Sequence, residues 1–217
     1  MSGIDYRFEV TDDPRFVRIV LTEREVPPRP PPMLPDEAEA YAVAAMADGT
    51  ADRLADAFKA MEAEGWRTYR RMIEAVANSH HVHEAFREAF HENWVERSFR
   101  HREHLADDAL LIRALRRIFP PYSGGNLILY RGERAAEFEA GRVGLNWSTD
   151  ESIALMFARG LCSTYPGGGV LLRTEAAPAA IISTPNDYSS TREREHIIEP
   201  ALLTGITEID RFPYRPD

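Results

Sequence analysis

Between Asp36 and Phe119 the apolar positions recur at helical spacing. Leu54, Phe58, Met61, Tyr69, Met72 and Val76 form one such series; Phe86, Phe90 and Trp94 form a second; Leu111, Leu115 and Ile118 form a third. Residues three and four apart share one face of a helix, so the pattern predicts a region of about four helices, each burying one stripe. Gly49 is placed to close one helix and Thr50 to cap the next, with Asn78 or Ser79 and Asp107 as later cap candidates. Ahead of this region, residues 6 to 26 alternate loosely between apolar and polar and fit a hairpin. The run "VPPRPPPMLP", Val26 to Pro35, then excludes regular structure and reads as a stiff polyproline spacer rising about 3 Å per residue. A strap laid across the surface is its first reading and a recognition peptide for a partner its second.

After "FPPYSGG" the period changes. "NLILYRGE", "GGGVLLRTE", "AAIIST", "EHIIEPALLTGI" and "TEIDRF" are short runs rich in Ile, Leu and Val bounded by turn residues, and one helical stretch, "ESIALMFARG", stands among them. These runs predict strands. The chain therefore reads as α+β: residues 1–35 a hairpin and spacer, 36–121 a helical region, 122–217 a sheet-rich core. No internal repeat is evident.

Composition narrows the function. Of 217 residues 44% are hydrophobic and 28% charged, enough for a sizeable core, and the formal net charge of −9 argues against a clamp for nucleic acid. Cys162 is the single cysteine, so no internal disulfide forms; its plain reading is a small buried hydrophobe. No basic segment leads into an apolar run at the N-terminus and nowhere do eighteen apolar residues follow one another. The expectation is a soluble, cytoplasmic protein without a membrane partner, with export by a route that reads folded proteins left open.

Several stretches carry candidate chemistry. His80 with His83, or His101 with His104, sit three apart and could suit a metal on a helix, but the surrounding Glu and Arg density reads as a solvated face, and no metal is expected. "YPGGGV" follows a helix and enters a strand, the reverse of a phosphate-cradling loop, so it reads as a turn. In "NWSTDESIALMFA", Ser148 and Glu151 have the spacing of a capping box and Asp150 suits a helix N-terminus. Phe157 reads as core. In "LILYRGE", Arg131 could simply extend from a buried strand into solvent. "REREHIIEP" sets Glu193 and Glu195 two apart, hence on one strand face; an acidic edge strand that discourages aggregation is the structural alternative.

Taken in order, "YRG … STD … EREHIIEP" resembles the arginine–serine–glutamate class of ADP-ribosyltransferases, whose signature is an arginine on the first strand, an S-T-S run and E-x-E before an apolar strand. The resemblance covers residues 124 to 205. It implies a split β-sheet core and a mono-ADP-ribosyltransferase that uses NAD as substrate, without a metal, and a protein side chain as acceptor. By that resemblance Arg131, with Gly132 beside it, contacts an NAD phosphate and ribose, Ser148 and Thr149 brace the active-site strands and the nicotinamide ribose, Glu195 is the catalytic glutamate, and Glu193 faces the acceptor. E-x-E implies arginine as that acceptor. Trp147 would line the nicotinamide pocket, with a core position as the alternative. Asp150 departs from the pattern, standing where the family has its second serine. An NAD glycohydrolase with water as acceptor, or an inactive binding module of the same fold, are the other readings. Whether such a protein is a delivered toxin, a phage enzyme or a housekeeping transferase stays open, as does the role of the helical region.

Overall fold

The computed structural model describes residues 2–10, 17–25, 30–63, 65–185 and 195–216. The chain divides into two compact units, Met1–Pro32 and Met33–Asp217. The first holds the expected hairpin: β1 (Ser2–Val10) pairs antiparallel with β2 (Val17–Glu25), from Ser2 opposite Glu25 to Val10 opposite Val17. Of the proline-rich run, Val26 to Arg29 lie outside the described residues, and residues 30–34 have no regular structure.

The second unit opens with five helices, one more than the periodicity suggests: α1 (Pro35–Asp48), α2 (Leu54–Ala63), α3 (Arg67–Asn78), α4 (Glu84–Leu105) and α5 (Asp108–Ile118). The apolar series from Leu54 to Val76 is broken between α2 and α3 because Gly65 and Trp66 take consecutive left-handed conformations, φ 80° and 71°. Pro35 starts α1, where its fixed φ suits a first helical turn, and Gly49 ends it at φ 83°. Asp107 caps α5 as expected, accepting from the Leu110 N–H at 2.9 Å. Two expected caps differ. Thr50 lies four residues ahead of α2, its N–H turned back onto Asp48, and Ser79 ends α3 while the start of α4 is capped by His83, whose Nδ1 accepts from the Ala85 N–H at 3.2 Å. His80 and His83 therefore precede α4 and do not share a helix face.

The sheet has six strands: β3 (Leu127–Arg134), β4 (Asn146–Ser148), β5 (Gly169–Ala176), β6 (Ile181–Ser183), β7 (Glu195–Ile198) and β8 (Thr204–Phe212), with α6 (Ala135–Glu139) and α7 (Glu151–Arg159) between them. Its order is β6-β7-β4-β3-β5-β8, antiparallel throughout. The expected α+β class holds. Alternate residues feed different cores: Leu129, Trp147, Leu172 and Ile198 pack together, while Tyr130 and Leu171 meet Ala154 and Ala158 of α7. Leu145, Ile182 and Ile197 join the aromatic core of the helices, so part of the sheet packs onto the helical region. "YPGGG" is a turn, with Gly167 and Gly168 at positive φ. Among the described residues no helix is long and apolar enough to cross a membrane.

Candidate functional site

Three of the strands carry the three motifs, and they are neighbours. β3 bears Arg131, β4 bears Ser148, and β7 bears Glu195, in the spatial order β7-β4-β3. The register aligns them closely. Ser148 lies opposite Glu195 on one side and opposite Tyr130, the residue before Arg131, on the other. Adjacent strands run about 4.8 Å apart, so hydroxyl and carboxylate residues separated by a long stretch of chain become immediate cross-strand neighbours. β7 lies between β6 and β4 in the sheet order; β4 pairs with it at Glu195, and β6 pairs with it at Ile197 and Ile198. Glu195 is half-buried there and Ser148 is buried. Glu193 lies outside the described residues.

The sheet opens beside this row. β3 pairs with β5 along its whole length but with β4 at Tyr130–Ser148 alone. Past that point two side chains take over from the ladder. Arg131 Nε donates to Glu133 Oε2 at 2.7 Å and its Nη1 donates to the Asn146 carbonyl, while the Gly144 N–H donates to the same Glu133 oxygen at 2.9 Å. Glu133 Oε1 accepts from the Arg134 N–H at 2.9 Å. Arg131 and Glu133 thus stitch the diverging edges of β3 and the Gly144–Asn146 segment. Gly144 permits it: a Cβ there would lie 2.0 Å from Arg131 Nη2. The Asn146 side chain is tied in turn to α4, donating to Ser98 Oγ at 2.6 Å, and Arg102 of α4 donates to the Val143 carbonyl at 2.7 Å. Burial pushes the Glu133 carboxyl up, but the Arg131 guanidinium and the two backbone N–H groups outweigh it and hold the group below the ordinary carboxylate value. It is therefore ionised at neutral pH.

The expected residues separate into those brought together and those that are not. Arg131 does not extend into solvent; two of its three nitrogens are engaged inside the protein, so the free fork expected for a pyrophosphate is reduced to Nη2, over Gly144. Strand alternation also sends it to the opposite face from the Tyr130–Ser148–Glu195 row. Gly132 serves packing: a Cβ would come within 2.4 Å of the Ala158 nitrogen and 2.5 Å of the Ala154 carbonyl, so glycine is what lets α7 lie on β3. Trp147 takes the core alternative, 1% exposed, with Nε1 donating to the Gly144 carbonyl at 3.0 Å. Thr149 is exposed at the end of β4. Ser148 is not the cap of α7. That role belongs to Asp150, which accepts from the Ser152 N–H at 2.9 Å, while Ser148 Oγ accepts from the Asp150 N–H at 3.1 Å. The residue that breaks the S-T-S pattern is thus the one that starts the helix.

Glu133, Gly144 and Asn146 were missed by the sequence reading. A signal for Glu133 existed, since Arg131 and Glu133 are opposite charges two apart on one strand, hence on one face. Cys162 is buried, as its plain reading expects, and burial pushes its thiol up to about 11. Among the described residues no three His, Cys, Asp or Glu side chains are grouped to hold a metal; His101 and His104 instead pack their rings against Trp66. Compared with models of protein families, with curated proteins and with solved structures, the chain matches none.

Proposed function

We propose that the protein is a mono-ADP-ribosyltransferase that transfers ADP-ribose from NAD to a protein side chain, with arginine as the acceptor. One observation carries the reading: the residues of three separate motifs fall on three adjacent strands, with Ser148 directly opposite Glu195.

The chemistry follows from the groups. Cleavage of the bond between nicotinamide and ribose C1′ sends the electron pair out with nicotinamide and leaves positive charge on the ribose ring, as in glycosidase transition states. A fixed carboxylate stabilises that charge more than it stabilises the ground state, which is the condition for acceleration. This is the work assigned to Glu195, with Ser148 holding the strands in register beneath it. Arg131 is a positioning residue first. It fixes the opening between β3 and β4, and the only nitrogen it offers a phosphate is Nη2. An arginine acceptor is protonated at neutral pH, so its attack on C1′ requires a second carboxylate to take the proton, and Glu193 is assigned that step.

The test is nicotinamide release and covalent labelling measured in one reaction with labelled NAD and an arginine-rich acceptor protein. Glu195→Gln should lose both signals by at least about a hundredfold with the fold intact. Glu193→Gln should keep nicotinamide release while labelling falls by about 10²-fold or more. NAD cleavage without labelling in the native chain would make water the acceptor, and cleavage retained in Glu195→Gln would overturn the assignment of the catalytic acid.

A further inference from the structure

A second concentration of charge lies where α3 gives way to α4 and where α5 ends. A cavity of about 180 Å³ opens there, lined by Arg87, Arg116 and Arg117 together with His80 and His81. The chain as a whole is acidic, with a formal net charge of −9, yet among the described residues no carboxylate lines this cavity. Its remaining wall is partly apolar, formed by Val82 and Phe119.

The three guanidinium groups are held differently. Arg116 is anchored, donating to the Ala179 carbonyl at 2.7 Å and to Glu199 through Nε at 3.0 Å and Nη2 at 2.6 Å. Arg87 is fixed at its root, where Nε donates to the Val82 carbonyl at 3.0 Å, and its two Nη groups have no partner among the described residues. Arg117 makes no hydrogen bond or ion pair with any described residue. Two arginines in the last turn of α5 suit the negative end of that helix. That accounts for Arg116 and Arg117 and leaves Arg87 unexplained, because it stands in the first turn of α4, the end where a cation is disfavoured, and faces two like charges. An anion in the cavity removes both penalties.

We propose that this cavity binds a phosphate monoester. A dianionic phosphate matches the paired N–H donors of free guanidinium groups, the imidazoles add further donors, and the apolar wall suits a short carbon skeleton on the ester oxygen. The site is separate from the row of Ser148 and Glu195 and stands whether or not that row cleaves NAD.

The experiment is calorimetric titration of the full chain with inorganic phosphate, ionic strength being held constant with chloride, followed by competition with ribose 5-phosphate. Phosphate should bind, ribose 5-phosphate should displace it, and Arg117→Gln and Arg87→Gln should each weaken binding by at least about tenfold, the loss of one charge-assisted contact. Arg117→Gln should cost at most about 1 kcal/mol, the loss of one cation at the end of α5, so at 25 °C it stays folded and its lost affinity would not reflect unfolding. Binding no stronger than that of chloride overturns the proposal. So does full affinity in Arg117→Gln, which would move the anion to another cation such as Arg131, and failure of ribose 5-phosphate to compete would overturn the ester.

Discussion

The helical region and the sheet both bury polar side chains, in opposite ways. Among the helices, Thr68 Oγ1, Tyr69 Oη and Trp94 Nε1 are buried with no hydrogen-bond partner among the described residues. His101 is fully buried against Trp94, with ring centroids 5.6 Å apart, and against Tyr69 at 5.0 Å. Beside the sheet opening, Glu133 is also buried but accepts from Arg131, Arg134 and Gly144, and the Trp147 N–H has the Gly144 carbonyl, while Asn146 Oδ1 alone of these groups has no partner among the described residues. The difference follows from the backbone. A helix satisfies its own N–H and C=O groups, so its side chains reach the core as apolar bulk and their polar atoms are carried along. Strands that part lose ladder bonds, and side chains must replace them. Tyr69 and Trp94 are carried along in the first core, whereas Glu133 and the Trp147 N–H hold the second together.

The sharpest way to break this comparison is to remove one polar group from each. Glu133→Gln leaves the Arg131 guanidinium, 20% exposed, without its carboxylate and should destabilise by about 3 kcal/mol in chemical denaturation. Tyr69→Phe deletes a hydroxyl that already lacks a partner and should be neutral or stabilising by up to about 1 kcal/mol. A large loss from Tyr69→Phe, or none from Glu133→Gln, would cancel the distinction.

Acid separates the two cores next. Burial pushes His101 down to about 3 from 6.5, so between those values the unfolded chain binds a proton that the folded chain does not. Stability then rises with pH across that window and is lost as pH falls below about 6.5, by about 2 kcal/mol at pH 5. Glu133 has the opposite chemistry and a lower window: its folded value lies below the ordinary 4.5, so its contribution is complete above that pH and disappears only further down. His101→Phe keeps a ring in the aromatic stack and should reduce the slope of the stability curve between pH 7 and pH 5, with buried His91, also pushed down by burial, keeping part of it and the fall below pH 4.5 left in place. Denaturation midpoints at pH 7, 5 and 3.5 decide it. An unchanged slope between pH 7 and 5 would place the titrating group elsewhere.

The same contrast explains what could be read from the sequence. Local rules were enough for the hairpin, the closure of α1 at Gly49, the Asp107 cap and the class of the fold, because each depends on a few neighbouring residues. They failed where a residue acts out of type. Histidine is not an ordinary cap, so His83 at the start of α4 went unseen, and Trp66 in a left-handed conformation split a helix that periodicity joined. The cap expected at Ser148 falls to Asp150 because β4 ends at Ser148, which puts the helix start two residues later. Strand order and the Glu133–Gly144 contact depend on long-range approach, and no pattern within one segment encodes them.

The smallest effect expected tests the comparison at two residues of the same type. Asp107 caps α5 in the helical region, and Asp150 caps α7 beside the candidate site, each accepting one backbone N–H at 2.9 Å. If a cap were only a cap, alanine at either position would lower the melting temperature and do nothing else. Asp150→Ala should cost about 1 kcal/mol. Its main-chain N–H, however, also donates to Ser148 Oγ at 3.1 Å, and Ser148 lies opposite Glu195. A frayed α7 start therefore loosens the residue that sets the register of the acid, and NAD cleavage, the activity assigned above, should fall severalfold at a temperature where the variant is fully folded. Asp107→Ala, assayed in its own folded range, should cleave at the native rate. Asp150→Asn restores the cap without the charge and should return most of the lost activity, which a role for the Asp150 carboxylate in the reaction itself would not allow. Equal losses in both alanine variants would mean that activity follows global stability, and that the site draws nothing special from the strand end on which Ser148 sits.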